Sequence, residues 1–549
     1  MKKEKNKIKI VSSMWLSRQF DKGTKKWDTL RHNGVVFPPN YVPHQTPLIY
    51  NNEKITLNPL AEEYATMYVK YLDSDYAKNR TFRHNFWIDW IDIVSDDRIN
   101  NYDDCDFSLI KDYSIRQKEE KKLVDPALKL IEKQKEEKYK IAFVDDNPQP
   151  VGNFKIEPPG IFLGRGNNPK IGKIKKRIYP EDIILNIDNN SPIPEIPEHL
   201  IDHHWGQIIH NQYVEWLASW KDNITGKIKY VWLGNASDIK GKKDNNKFDL
   251  ARKLKRKIKY IRDKNQQNLF IDDEHIRQIA TALYFIDNLA LRVGNEKGDD
   301  ETDTVGVTSL RIEHLILVEP NELTLDFLGK DSIRYHKTIA IDDQVFKNIR
   351  EFIMGKQKGD NVFDKINSTD VNKYLQGFMK DLTAKVFRTY NASWLFQKEL
   401  DKINVKYSDY NESNKTDLLL DEFNRANIKV AKLCNHQKGT TSTSHKQIDN
   451  INAKIRKTRE QLKKARQSNK KNPDKIKKLK IKIESLKSKK QIKTELKNIS
   501  LSTSKINYID PRITVSFFKK HNLDIDKIFS KTLKEKFKWA FNVDENYQF

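Results

Sequence analysis

The chain has 549 residues, and its 101 Lys and Arg outnumber 76 Asp and Glu to leave a formal charge of +25. That length exceeds one compact core, 37% hydrophobic residues exclude a wholly disordered chain, and the charge asks for a polyanionic partner, nucleic acid before an anionic membrane. Only Cys105 and Cys434 are present, which excludes a disulfide framework and a Cys-built zinc site, and no run reaches the roughly 18 apolar residues of a spanning helix.

Residues 1–24 read as a short basic N-terminal arm whose apolar patch is broken by serines, unlike a secretory leader. Folded structure is expected from Lys25–Trp27 and the turn-rich Gly34–Pro43. Residues 55–112 alternate short helical and loop signals around an aromatic cluster of Phe82, Phe86, Trp87 and Trp90. From Tyr113 to Tyr139 the composition turns to Lys and Glu, with Leu123, Leu128, Leu130 and Ile131, and predicts one or two exposed helices. Residues 140–236 predict strands, and 247–297 return to helix. There Ile279, Leu283, Ile286 and Leu289 mark an apolar face that runs into Arg292. Leu323–Gly329, a Gly-Lys-Asp-Ser turn and Ile333–Ile341 predict a hairpin, and 345–437 are mostly helical.

The sharpest boundary follows His445. Between Lys446 and Lys497, 20 Lys and Arg stand against 5 Asp and Glu, so most of the excess charge lies here. Ile448, Ile451, Ile455, Leu462 and Ala465 keep heptad spacing, as do Ile476, Leu479, Ile483 and Leu486 beyond a break at Ser468–Asp474. That pattern predicts an antiparallel two-helix coiled coil with a polar tip, against a disordered basic tether. Residues 500–549 read as a small terminal module with Phe517, Phe518, Ile528, Phe529, Trp539 and Phe541.

Five polar positions carry possible chemistry. Arg292, at the edge of a buried helix face, needs an anion; a salt bridge to Glu296 or Glu301 is the plainer reading. Lys330 sits at the hairpin tip, where turn lysines are common but a projected charge can enter a groove. Arg388 falls in a helix with Leu375, Phe378, Met379, Leu382 and Val386, one turn after Lys385, and two such cations repel unless an anion lies across them. His436 ends a helix, where the macrodipole favours an imidazolium, and Tyr508 lies in a polar loop before Pro511. The acidic run 298–304 lacks the spacing of a calcium loop, and His203–His204 lack a third ligand at useful spacing; both read as surface.

Taken singly these are weak signals. In order, LALRVGNEK, FLGKDSIRY, LTAKVFRTYNAS, LCNHQ and SKINYIDPR resemble the signature segments of eukaryotic-type DNA topoisomerase IB. So do KWDTLRHNGVVFPPNY, NFKIEPPGIFLGRGNNPKIGKIKKR and the C-terminal DENYQF, from about Lys25 to Phe549. The resemblance implies a multidomain α+β fold: mixed cap lobes, a mainly helical catalytic domain, a coiled-coil linker and a small helical C-terminal module. The domains implied are a two-lobed DNA-binding cap at 25–236, a catalytic core at 237–440, the linker at 441–499 and the tyrosine-bearing module at 500–549.

It also implies a monomer clamped on double-stranded DNA that relaxes supercoils without ATP, metal or cofactor, through a 3′-phosphotyrosyl intermediate. Arg292, Lys330, Arg388, His436 and Tyr508 would be the catalytic set. Arg165 looks like a minor-groove contact, Lys385 like a phosphate contact, and Asp331 and Asn507 like the lining of a drug-sensitive cleavage pocket. Two departures stand out: the arm is short, and Asn168 stands where the family usually has His. The nucleus is the expected compartment, reached through Lys173–Arg177 or Ala251–Lys259, with a cytoplasmic viral replication site or a virion as the alternative. Rival readings are a tyrosine recombinase and a catalytically silent DNA clamp.

Overall fold

The computed structural model describes residues 24–123, 125–295, 302–410, 412, 414–438, 442–467 and 472–549. The arm up to residue 23, residues 298–301 of the acidic run and residues 468–471 of the expected polar tip lie outside them. The described residues fall into two compact units, one within Met1–Gly241 with Asp299–Thr302 and one within Lys242–Gly298 with Asp303–Phe549.

The first unit holds two apolar cores. In one, helices Pro59–Tyr68, Arg80–Ile91 and Ser108–Glu120 pack around Tyr68, Phe82, Phe86, Trp90 and Phe107. Asn58 and Asn79 cap the first two helices by accepting from Ala61 N and Phe82 N, and Tyr68 stacks on Phe86 at 3.9 Å between ring centroids. The aromatic cluster expected from sequence is thus this core, with Trp87 packed at its edge.

The other core lies on the strands expected within 140–236. Gln207–Ile209, Ile184–Asn186, Trp216–Lys221 and Ile228–Trp232 form one sheet, and Leu30–His32, Ile141–Val144 and Asn147–Pro150 a second. His32 is buried there, and desolvation pushes its imidazole down to about 4. The basic run Lys173–Arg177 is tied into this unit by ion pairs from Lys173 to Asp89 at 3.3 Å, Lys175 to Glu157, and Arg177 to Glu63 at 2.6 Å. Ser108–Glu120 and Pro126–Glu136 supply the helices expected from the Lys/Glu-rich stretch, and Leu123, Leu128, Leu130 and Ile131 are exposed. His203 and His204 share Glu181, at 3.1 and 3.4 Å.

The second unit has one main core. Helices Glu274–Asn288, Asp343–Phe352, Ala384–Lys406 and Lys415–Leu433 bring together Phe285, Ile286, Ile349, Phe387, Phe396 and Phe423. The terminal segment joins it: Ile513, Phe517, Phe518 and Phe549 are part of this core, while Val515, Phe529, Phe537 and Ala540 form a satellite. The expected hairpin is present as Glu322–Gly329 and Ile333–Ala340, extended by Leu315–Val318 into a three-stranded antiparallel sheet. Leu323, Leu325 and Phe327 alternate toward the core.

Two helix assignments differ from the sequence reading. The helix before Arg292 stops at Asn288, because Ala290 adopts φ +51° and the chain turns away. Arg292 therefore sits in the following loop and not on a helix face. Likewise Leu375, Phe378 and Met379 do not share a helix with Arg388. Ser368–Phe378 ends, Asp381 takes φ +64°, and a new helix starts at Ala384.

Helices Ser442–Gln467 and Pro473–Glu495 run antiparallel, as Lys493 reaching Gln447 at 3.2 Å requires. Ile455, Thr458, Ile483 and Ile492 are buried along the pair. The second helix is also tied to Lys415–Leu433: Ser488 donates to Asp421 at 2.7 Å and Lys432 pairs with Glu495 at 3.1 Å. Among the described residues no helix is long and apolar enough to cross a membrane.

Candidate active site

Four of the five residues singled out from sequence line one cleft in the second unit: Arg292, Lys330, Arg388 and His436, with Asp331 beside Lys330. The fifth, Tyr508, closes on them from the side. Its ring lies 5.0 Å from the Arg388 guanidinium carbon and 5.2 Å, nearly parallel, from the His436 ring.

Each arrives from a different element. Arg292 comes from the loop after Glu274–Asn288. That loop is pinned by Val307 N–H donating to Arg292 O at 2.9 Å and Thr308 N–H donating to Val293 O at 2.7 Å. Gly294, at φ +91°, and Gly306 pass so closely that a Cβ on either would meet the other's backbone within 2.7 Å. Lys330 is exposed at the hairpin tip, where Asp331 and Ser332 take φ +65° and +58°.

His436 follows the helix Lys415–Leu433, redirected by Asn435 at φ +52°. Its neighbours Asn435 and Gln437 donate to Arg334 O of the hairpin, at 3.3 and 3.2 Å, which ties this turn to the strand that leads back from Lys330. Ser500 N–H donates to His436 O at 2.9 Å, joining the turn to the segment that carries Tyr508.

Tyr508 does not lie in a polar loop. It caps the C-terminus of the short helix Leu501–Asn507 and is 5% exposed. The Ser393 hydroxyl donates to Tyr508 O at 2.9 Å and accepts from Asp510 N at 3.0 Å, so the backbone on both sides is fastened to the helix that bears Arg388.

The electrostatics are unusual for a folded interior. Arg388 is only 5% exposed, so helix-surface solvation does not describe it. It donates to Ala290 O and, at 3.0 Å, to Cys434 O, and its Nε is buried without a partner among the described residues. Among the described residues no carboxylate pairs with Arg388 or Arg292; Glu296 and Glu301, the carboxylates considered for Arg292, lie outside those residues. Holding a guanidinium out of water without a counter-charge is costly.

His436 feels the result. Burial, then Arg388, then Arg292 push its imidazole down to about 3, so it is neutral at physiological pH. This corrects the imidazolium expected from a helix C-terminus: two nearby cations and desolvation outweigh the dipole. Its Nδ1 is 2.7 Å from Ser504 Oγ, and its Nε2 is buried without a partner among the described residues.

The remaining sequence candidates fall elsewhere. Lys385 is exposed and does not line the cleft; it lies near Lys247, whose pKa it helps lower. Asn507 is exposed and outside the cleft lining. Arg165 belongs to the first unit, exposed between Gly164 and Gly166 at φ +60° and +58°. Its loop is held by Thr302 Oγ1, which donates to Arg165 O at 3.1 Å and pairs with Asn168 Nδ2 at 3.1 Å. Among the described residues no three His, Cys, Asp or Glu side chains cluster so as to hold a metal ion.

Sequence reading missed Ser393, Ser504 and Asp510. Only the last leaves a local trace, as the Asp-Pro that caps the helix Pro511–Lys520.

Comparison with known proteins covers nearly the whole chain. Residues 25–233 match the family model for the DNA binding fragment of eukaryotic DNA topoisomerase I, 236–469 that for its catalytic core, and 480–549 that for the C-terminal topoisomerase domain. The chain is 40% identical to DNA topoisomerase 1 alpha of Arabidopsis thaliana, over 96% of this chain and 60% of the relative's length. It is 40% identical to DNA topoisomerase 1 of Homo sapiens, over 97% and 73%, and 39% identical to that of Candidozyma auris, over 97% and 85%.

Proposed function

The chain belongs to the eukaryotic DNA topoisomerase I family, and from that membership we propose that it relaxes positively and negatively supercoiled duplex DNA by nicking and resealing one strand. The observation that carries this reading is Arg388. A buried guanidinium without a carboxylate partner among the described residues, lying over the ring of Tyr508 and against His436, is built to meet an anion beside a phenol.

In the proposed step the Tyr508 hydroxyl oxygen attacks a DNA phosphodiester. The tyrosine O–P bond forms, the P–O5′ bond breaks, and the phenolic proton leaves to water. Negative charge grows on the non-bridging oxygens. Arg292 and Arg388 donate to these, and the Nε2 of His436 supplies a further N–H. The guanidinium over the ring also stabilises charge developing on the phenol oxygen. The departing 5′ oxygen takes its proton from the Lys330 ammonium, which reaches the cleft from the hairpin tip.

The phosphotyrosyl ester keeps the energy of the broken bond. The reverse attack by the 5′ hydroxyl reseals the strand without ATP, and rotation of the free end in between removes supercoils. Because protein cations meet the phosphate charge, we assign no role to a divalent ion or cofactor.

Around this centre, 25–236 would act as the DNA-binding cap, with Arg165 in the minor groove, and Lys385, Asp331 and Asn507 as further DNA contacts. The helical pair within 441–499 would be a coiled-coil linker presenting a basic face to the duplex, and the enzyme would work as a monomer in the nucleus. The test is relaxation of plasmids of both signs in EDTA without nucleotide, with covalent DNA capture measured beside it. Retained supercoils in the parent chain, or capture by Tyr508→Phe, would sink the proposal.

A further inference from the structure

His436 can serve the phosphate only as a hydrogen-bond donor. Neutral, it has one ring hydrogen, and the two tautomers differ in which nitrogen carries it. With hydrogen on Nδ1, the Nε2 lone pair would face the phosphate oxygens and repel them. With hydrogen on Nε2, the buried nitrogen, which has no other partner among the described residues, donates. Something must therefore accept no hydrogen from Nδ1 and give one to it.

Ser504 is so placed. It is fully buried at 0% exposure, and its hydroxyl is 2.7 Å from Nδ1. It sits one turn before the nucleophile on the same short helix, where its carbonyl accepts from both Tyr508 N and Ile509 N at 2.9 Å.

We infer that Ser504 is a positioning residue for strand cleavage: its hydroxyl donates to His436 Nδ1, holds the imidazole in the tautomer that carries hydrogen on Nε2, and aims that N–H into the cleft. The inference rests on the cleavage chemistry proposed above. It adds a coupling that the catalytic residues alone do not contain. One helical turn delivers both the nucleophile and the hydroxyl that readies His436, so His436 is set for donation only when Tyr508 is docked. The groups facing the imidazole from its surroundings, Arg388, Arg292 and the Tyr508 ring, include no other acceptor or donor for Nδ1 among the described residues.

The experiment is a double-mutant cycle read by single-turnover cleavage of a duplex oligonucleotide in the full chain, with non-covalent DNA affinity measured in a Tyr508→Phe background. Ser504→Ala is expected to slow cleavage by about 10- to 100-fold, less than or equal to the loss of a whole transition-state donor, with DNA affinity unchanged. His436→Gln replaces the imidazole with an amide that donates without a tautomer to set. In that background Ser504→Ala is expected to change the rate by less than about 2-fold, because residues acting as one unit are non-additive.

Equal losses in both backgrounds would mean that Ser504 merely supports the helix and would overturn the inference, as would a parental rate for Ser504→Ala. Should alanine lower the thermal transition, Ser504→Cys, near the parent in volume and a weaker donor, is expected to slow cleavage as well; a parental rate there also overturns it. A parent chain that captures no DNA brings down the functional reading and this inference together, whereas capture with an additive cycle removes the inference alone.

Discussion

Replacing Asp510 with alanine takes away the buried acceptor two residues beyond Tyr508. The Asp510 carboxylate is fully buried and accepts from Arg512 N at 2.9 Å, Arg512 Nε at 3.0 Å, Arg512 Nη2 at 2.8 Å and Tyr547 Oη at 3.0 Å. Removing one member of a buried ion pair costs about 3–5 kcal/mol, because the other charge is left desolvated. Arg512 keeps Asp249 at 2.8 Å and Asn245 at 3.3 Å, which puts Asp510→Ala at the lower end, about 3 kcal/mol. Spread over a unit of roughly 300 residues, that lowers its melting temperature by about 5 °C. Asp510→Asn keeps an acceptor oxygen and the helix cap but loses the charge, so it falls between. Scanning calorimetry of the full chain reads this out, with the transition of the other unit as an internal standard. A loss below about 1 kcal/mol would show that Arg512 is satisfied without Asp510 and would refute the reasoning.

Acid should destabilise the protein through its buried histidines. His436, held at about 3, and His32, held at about 4, are neutral when folded, whereas in the unfolded chain they take a proton near the ordinary imidazole value. The unfolded state therefore binds more protons over that interval, so this stability is full above about pH 6.5 and is lost as pH falls toward 3. A denaturation midpoint unchanged from pH 7 to 4 would contradict it. For the same reason kcat/KM should carry no inflection near pH 6.5 that disappears in His436→Gln. Lys330→Ala should slow cleavage by about 10²- to 10⁴-fold, and a substrate with sulfur in place of the 5′ oxygen should recover most of the loss, since a thiolate leaves without a proton. No recovery would remove Lys330 from the role of acid. Deleting Phe549, whose side chain is buried, whose N–H donates to Gln397 at 3.2 Å and whose carbonyl accepts from Lys255, should cost about 3 kcal/mol in urea unfolding.

Which residue types do the chemistry, and the order in which the chain presents them, could be read from the sequence. Arg292, Lys330, Arg388, His436 and Tyr508 lie in five motifs whose resemblance to one family is dense, and four of the five do line one cleft with the fifth against it. The hairpin and the helical pair were equally legible, because periods of two and of seven are local properties of a strand and of packed helices.

The breaks were not. Ala290, Asp381 and Asn435 all adopt positive φ, and nothing in their residue types demands it. Those turns decide that Arg292 sits in a loop, that Arg388 belongs to a fresh helix begun at Ala384 and that His436 swings back toward the hairpin. The protonation of His436 was misread for a related cause. A helix end is a local feature, but the two arginines that outweigh it come from segments far away in the chain. Ser393 and Ser504 carry no signal at all, since a serine in a helix looks alike whether it faces water or fastens a nucleophile. Sequence by itself determined the inventory of groups and their neighbours along the backbone; tertiary structure decided burial, and with it which cations stand without a carboxylate and which imidazole nitrogen is left to donate, because desolvation and pairing depend on what packs around a group and not on what precedes it.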